Sequence, residues 1–183
     1  MASFTLREFS DVISRAEARR NLKKLDNQFK GLAARGLLTQ ASAYFGPRGA
    51  LLFPEIECYR ARLLIALIEA GGIASDDLAQ FNVAVGRSLP MVVASLGEAS
   101  PPFWLMAVDR IRDPETDEVR ASYPHWIRDD RPLGSLHTDL LQPDPEGFTL
   151  DTIGPIEMVQ TVPVTRLLLP LWRQFRKHET AHA

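Results

Sequence analysis

Two capping boxes, set close together at the start of the chain, constrain its fold more than any other feature. Thr5-Leu6-Arg7-Glu8 and Ser14-Arg15-Ala16-Glu17 each place a hydroxyl residue three positions ahead of a glutamate. In that arrangement each side chain satisfies the other's backbone N–H at a helix start. Phe4 and Phe9 fall where a hydrophobic staple closes the first of them. The pair predicts a short helix, a tight turn and a second helix beginning near Arg15.

The second helix is expected to run from about Arg15 to Arg35 and to stop at Gly36, a residue suited to a left-handed C-terminal cap. Ala18, Leu22, Leu25, Phe29 and Leu32 recur at three- and four-residue spacing and form one apolar stripe. The opposite face carries Arg20, Lys23 and Asn27, flanked by Arg15, Arg19, Lys24 and Lys30. An ordinary solvated face mixes signs. No carboxylate occupies the middle of this one.

Charge is divided in the same sense. Residues 1–62 hold 11 Lys/Arg against 6 Asp/Glu, and residues 63–183 hold 10 against 17, so a net of −2 conceals a basic start and an acidic remainder. A polyanion meeting only one part of the chain calls for such an asymmetry. No apolar run reaches the roughly 18 residues of a membrane span, and no charged-then-apolar leader opens the sequence. With one cysteine, Cys58, no internal disulfide can form, which fits a reducing, cytoplasmic setting.

Beyond Gly36-Leu37-Leu38, β-prone residues flank the turn Gly46-Pro47-Arg48-Gly49, predicting a hairpin over about 39–53 that includes Tyr44. Pro54 suits the first turn of a helix whose buried side is Ile56, Tyr59, Leu63, Leu64, Leu67 and Ile68 and which Gly71-Gly72 end. Ser75 caps a further helix from Asp76 to about Val85, and Pro90–Ala94 reads as another short one. After Pro101-Pro102 the texture changes. Phe103–Ile111 and Glu118–Tyr123 read as strands around the turn Asp113–Asp117, Arg128–Gly147 as a long loop, and Met158–Val164 as a strand. Thr165–Lys177 closes the pattern as an amphipathic helix in which Pro170 marks an interruption or the first turn.

Helix, turn, basic helix ending in Arg35-Gly36-Leu37-Leu38, hairpin, and a helix ending in Ala70-Gly71-Gly72-Ile73 together resemble the MerR-type winged helix-turn-helix over about residues 4–82. The order of the pieces carries the resemblance. The expected second helix is longer than that family's, the aromatic pair after its arginine is absent, and no long dimerisation helix follows residue 82. The resemblance implies a second helix in the major groove and a wing on the backbone. Arg15, Arg19, Arg20, Lys23, Lys24, Asn27 and Lys30 would then face bases or phosphates, with Tyr44 and Arg48 in the wing.

The expected fold class is therefore α+β: a winged helix-turn-helix over 1–86, then a small α+β region over 87–183 for dimerisation or for sensing a ligand or partner. The expected function is sequence-specific binding of double-stranded DNA by a homodimeric transcriptional regulator that is not an enzyme and carries no cofactor. Two other readings stand beside it: a phage or mobile-element DNA adaptor, and a protein-interaction module that does not touch DNA.

Other chemistry is weaker. His178-Glu179-Thr180-Ala181-His182 spells the zinc-protease HExxH, but it falls where helix ends fray and lacks a convincing third ligand. No metal site is expected there. His125 and His137 lie near Trp126, Asp129, Asp130 and Asp139, where a structural or exposed role is commoner than a ligand site. Cys58 reads as a small core residue rather than a redox sensor.

Overall fold

The computed structural model describes residues 3–41, 49–70, 73, 77–121, 124–129 and 156–181. Among them the chain is α+β, with five helices and two small antiparallel sheets. Strand β1 (Ser3–Phe4) leads into α1 (Leu6–Glu17), where Thr5 Oγ1 accepts from Glu8 N and Glu8 reaches back to Thr5 N at 2.6 Å. The Phe4 and Phe9 rings lie 6.1 Å apart, closing the staple.

The second box does not start a helix. Ser14 lies inside α1, and the chain turns at Ala18, in the left-handed conformation at φ 52°. Ser14 fastens that turn: its backbone oxygen accepts from Arg19 N at 3.1 Å while its hydroxyl donates to Arg19 O at 2.6 Å. Helix α2 (Leu22–Ala34) therefore begins at Leu22 rather than near Arg15, capped by Asn21 Oδ1 accepting from Lys24 N at 2.9 Å. Arg15 consequently belongs to α1, and Arg19 and Arg20 to the turn.

A side chain at Ala18 crowds its own backbone at positive φ, which costs roughly 1–2 kcal/mol, partly offset by the entropy a glycine would lose. Ala18→Gly is expected to raise the unfolding free energy by about 0.5–1 kcal/mol. A urea midpoint shifted upward at constant slope is the corresponding readout.

After α2, Ala41 N donates to Leu52 O at 2.9 Å, and β2 (Phe53–Pro54) pairs antiparallel with β1. Residues 42–48 of the expected hairpin, with Tyr44 and Arg48, lie outside the described residues. Helix α3 (Glu55–Glu69) starts directly after Pro54 and buries Cys58, Tyr59, Leu63, Leu64, Ile65 and Leu67. Its Glu57, also buried, accepts from Thr39 N at 3.1 Å and so ties the segment after α2 down onto α3. Gly71, Gly72, Ser75 and Asp76 lie outside the described residues.

The two helices expected around Val85 and Pro90 are one, α4 (Leu78–Ser95), with Pro90 in its interior. Leu78, Phe81, Val85, Leu89 and Val92 form a stripe that runs unbroken past the proline. Burial of that stripe outweighs the ~3 kcal/mol an interior proline costs. Residues 86 and 87, where a domain boundary was expected, sit in the middle of this helix.

Strand β3 (Phe103–Arg112) is the centre of the larger sheet. It pairs with β4 (Val119–Ala121), β5 (His125–Asp129) and β6 (Ile156–Pro163), all antiparallel. Arg128 and Asp129, expected in a loop, extend β5 because their backbones continue the ladder opposite Phe103 and Trp104. Residues 130–155 lie outside the described residues. Alternation along β3 sends Trp104, Met106 and Val108 into the main core and Phe103, Leu105 and Ala107 into a second cluster on the other face.

Helix α5 (Val164–Ala181) runs through Pro170 without interruption, burying Val164, Leu168, Leu171 and Phe175. Phe175 packs 5.1 Å from Phe4 and 5.6 Å from Tyr59, and Arg176 Nη2 donates to both oxygens of Glu55 at 2.5 and 2.6 Å. One hydrophobic core thus extends from Phe9 in α1 to Phe175 in α5.

Candidate nucleic-acid interface

Leu25, Phe29 and Leu32 fix the buried side of α2. At about 100° per residue, Lys23, Asn27, Lys30 and Ala34 lie on the opposite side, pointing away from the core. All four are exposed, and Arg20 precedes them, exposed in the turn. Among the described residues, Arg20 and Lys23 have no carboxylate partner. Asp26 lies on one flank and meets Lys30 Nζ at 2.6 Å without entering the outward face.

The other flank carries Lys24, Gln28 and Arg35 and turns toward α3 and the start of α4. A groove of about 730 Å³ runs there between Lys23, Lys24, Asn27 and Arg35 on one side and Ile65, Ile68 and Leu78 on the other. Its floor is apolar and its α2 wall cationic.

Arg19 departs from expectation. It does not project freely with Arg20, because two carboxylates hold it. Glu17 Oε2 accepts from Arg19 Nε at 2.5 Å, and the Glu69 oxygens accept from Nη1 and Nη2 at 3.5 and 3.4 Å. Burial alone would lower the Arg19 pKa; the charges and hydrogen bonds of Glu17 and Glu69 outweigh it and raise it. Lys24 is likewise engaged, its Nζ 3.5 Å from Glu69. Gln28 Nε2 donates to Glu69 at 3.2 Å. Burial would raise the Glu69 pKa, but the bonds from Gln28 and Arg19 lower it, so this carboxylate stays ionised. Glu17 also accepts from Nε of Arg62, a buried cation on α3.

Glu17 and Glu69, both missed from the sequence, are the last residues of α1 and α3. The negative end of a helix disfavours an acid there, so each is a position that requires cationic partners. That signal was legible, though not the identity of the partners. Lys23 and Asn27 stand together on the outward face as expected, while Arg20 falls in the turn and Lys30, expected on the flank, stands beside them paired with Asp26. Arg15 is exposed on α1, and Tyr44 and Arg48 lie outside the described residues.

His125 is half exposed, with Nδ1 3.9 Å from Asp109 Oδ2, and no group of three metal-ligating side chains occurs among the described residues. His137, Asp130, Asp139, His182 and the side chains of His178 and Glu179 lie outside them. Cys58 is fully buried, and burial pushes its thiol well up, which makes it a packing residue. No helix among the described residues is long and apolar enough to cross a membrane. Compared with known proteins, the chain matches no protein-family model and no curated protein.

Proposed function

We propose that this chain binds double-stranded DNA sequence-specifically as a transcriptional regulator, laying α2 in the major groove and using residues 39–53 as a wing. The observation that carries this reading is the outward face of α2. Lys23 and Asn27 stand exposed on consecutive turns with no acid partner among the described residues and Arg20 just ahead, and Lys30 follows, paired with Asp26 on the flank. Asparagine pairs its amide with adenine N6 and N7, lysine reaches guanine or phosphate, and arginine does both. A helix about 10–12 Å across with its side chains fits a major groove about 12 Å wide.

Further support comes from connectivity. A tight turn joins α1 to α2, and the chain after α2 returns to pair Phe53–Pro54 with Ser3–Phe4. That return seats Phe53 and Pro54 beside the start of α1. Two copies on two half-sites would supply the affinity that one small module lacks.

The test is a salt-titrated binding assay against a pool of random duplexes, comparing the parent with the triple variant Arg20→Ala, Lys23→Ala, Asn27→Ala. All three side chains are exposed, so the variant folds as the parent does. Its affinity is expected to fall about a hundredfold, and its dependence of log K on log salt to flatten by roughly 2. Equal affinity and equal slope would remove α2 from the groove and leave a protein-interaction role.

A further inference from the structure

We infer that Glu69 is an internal stand-in for a DNA phosphate: its carboxylate occupies an anion cradle that Arg19, Lys24 and Gln28 build, and yields it when duplex arrives. The inference rests on the DNA-binding reading and names how that site is regulated.

Three side chains from the turn and α2 converge on one carboxylate at the end of α3. Arg19 presents its two Nη groups at 3.4 and 3.5 Å, Lys24 its Nζ at 3.5 Å, and Gln28 its amide at 3.2 Å. A cationic fork, an ammonium and an amide together form a set of donors that recognises phosphate as well as carboxylate. The cradle lies on the flank of α2 rather than on its outward face. Phosphates line the rims of a major groove, so a helix whose outward face meets base edges turns its flanks toward them.

The strengths of the contacts are graded in the way exchange requires. Arg19 is anchored by Nε to Glu17 at 2.5 Å, which fixes the guanidinium plane. Its contacts to Glu69 are longer than the roughly 2.7–2.9 Å of a tight charge-assisted bond. Glu69 and Lys24 are partly and largely exposed, at 30% and 61%, so solvent already screens their pair. A backbone phosphate can therefore take the loose end of Arg19 and all of Lys24 without disturbing the Glu17 anchor. The effect on recognition is selective. Every duplex must displace Glu69, and only one that also satisfies Lys23 and Asn27 gains enough to do so.

Glu69→Gln removes the competing charge while keeping an acceptor for Gln28. In the full chain, titrated with a short random-sequence duplex between about 50 and 200 mM salt, this variant is expected to bind about tenfold tighter than the parent. Its salt slope should stay close to the parent's, because Arg19 and Lys24 meet phosphate in both complexes once Glu69 has yielded. Adding Lys24→Ala to Glu69→Gln should flatten the slope by about one, the share of a phosphate contact that Lys24 makes. Unchanged or weaker binding by Glu69→Gln, or a slope that Lys24→Ala leaves unaltered, would show that Glu69 merely braces the helices and would overturn the inference while leaving DNA binding intact. If neither parent nor variant binds duplex at the lowest salt, the DNA-binding reading and the inference fall together.

Discussion

Glu17→Ala is expected to lower the unfolding free energy by about 3 kcal/mol, although Glu17 contributes nothing to the hydrophobic core. Its carboxylate serves two arginines, and one of them, Arg62, has a side chain only 6% exposed. A charge so placed has surrendered most of its hydration and depends on its partner. Removing one member of a buried pair leaves the other uncompensated, which typically costs about 3–5 kcal/mol. Glu17 itself is 16% exposed, so water reaches part of the vacated space and the lower end of that range applies. Arg62 Nη1 already lacks a hydrogen-bond partner among the described residues, and Glu17 is the carboxylate its guanidinium bonds, with the charge of Glu69 acting on it from further away. The measurement is a urea midpoint at constant slope. Replacing both partners by apolar residues of similar size, Glu17→Leu with Arg62→Met, should recover most of the loss, since no orphaned charge remains. A loss under about 1 kcal/mol for the single variant would mean that Arg62 finds water or another acceptor, and that the turn is held by Ser14 alone.

The same residues show what was legible in the sequence. Thr5 and Glu8 form the box their spacing announces because Thr5 stands in extended backbone, with an apolar residue before it to close the staple. Ser14 and Glu17 have the same spacing and do something else. Nothing breaks the helix ahead of Ser14, so its hydroxyl serves the end of α1, and Glu17 reaches across to Arg62, 45 residues away in sequence. Local spacing cannot distinguish the two, because the difference lies in a tertiary partner. The turn hid for a related reason. Alanine rarely takes the left-handed conformation, and the backbone and hydroxyl bonds of Ser14 to the turn hold Ala18 there.

The outward face of α2 was readable, since it depends only on the stripe Leu25, Phe29 and Leu32 and on what lies opposite. Its flank was not. Glu69 is distant in sequence and neutralises two of the cations the sequence assigned to the groove, Arg19 and Lys24. The continuous α4 was hidden as well. Proline reads as a break on local grounds, and only the stripe from Leu78 to Val92 packed on α3 reveals that burial prevails.

The packing of α5 leads to the other large effect. Phe175→Ala is expected to lower stability by about 3–5 kcal/mol, the usual cost of emptying a fully buried aromatic site. Phe175 is 1% exposed and lies between Phe4, which staples α1, and Tyr59 on α3. Its neighbour Arg176 bonds to Glu55 and lies over the Trp172 ring, so the end of α5 closes the N-terminal helices as a lid closes a box. Were the two ends of the chain independent, the damage would stay in the C-terminal part. The tryptophans, at 104, 126 and 172, would then report an early transition and far-UV circular dichroism a later one. A core shared from Phe9 to Phe175 requires the opposite: fluorescence and helicity lost together, at one lowered midpoint, in parent and variant alike. Coincident transitions make α5 part of what orients α1 and α2, so the helix proposed for the groove takes its bearing from residues more than a hundred positions downstream. Separated transitions would confine that task to the turn, to Glu17 and to Glu69.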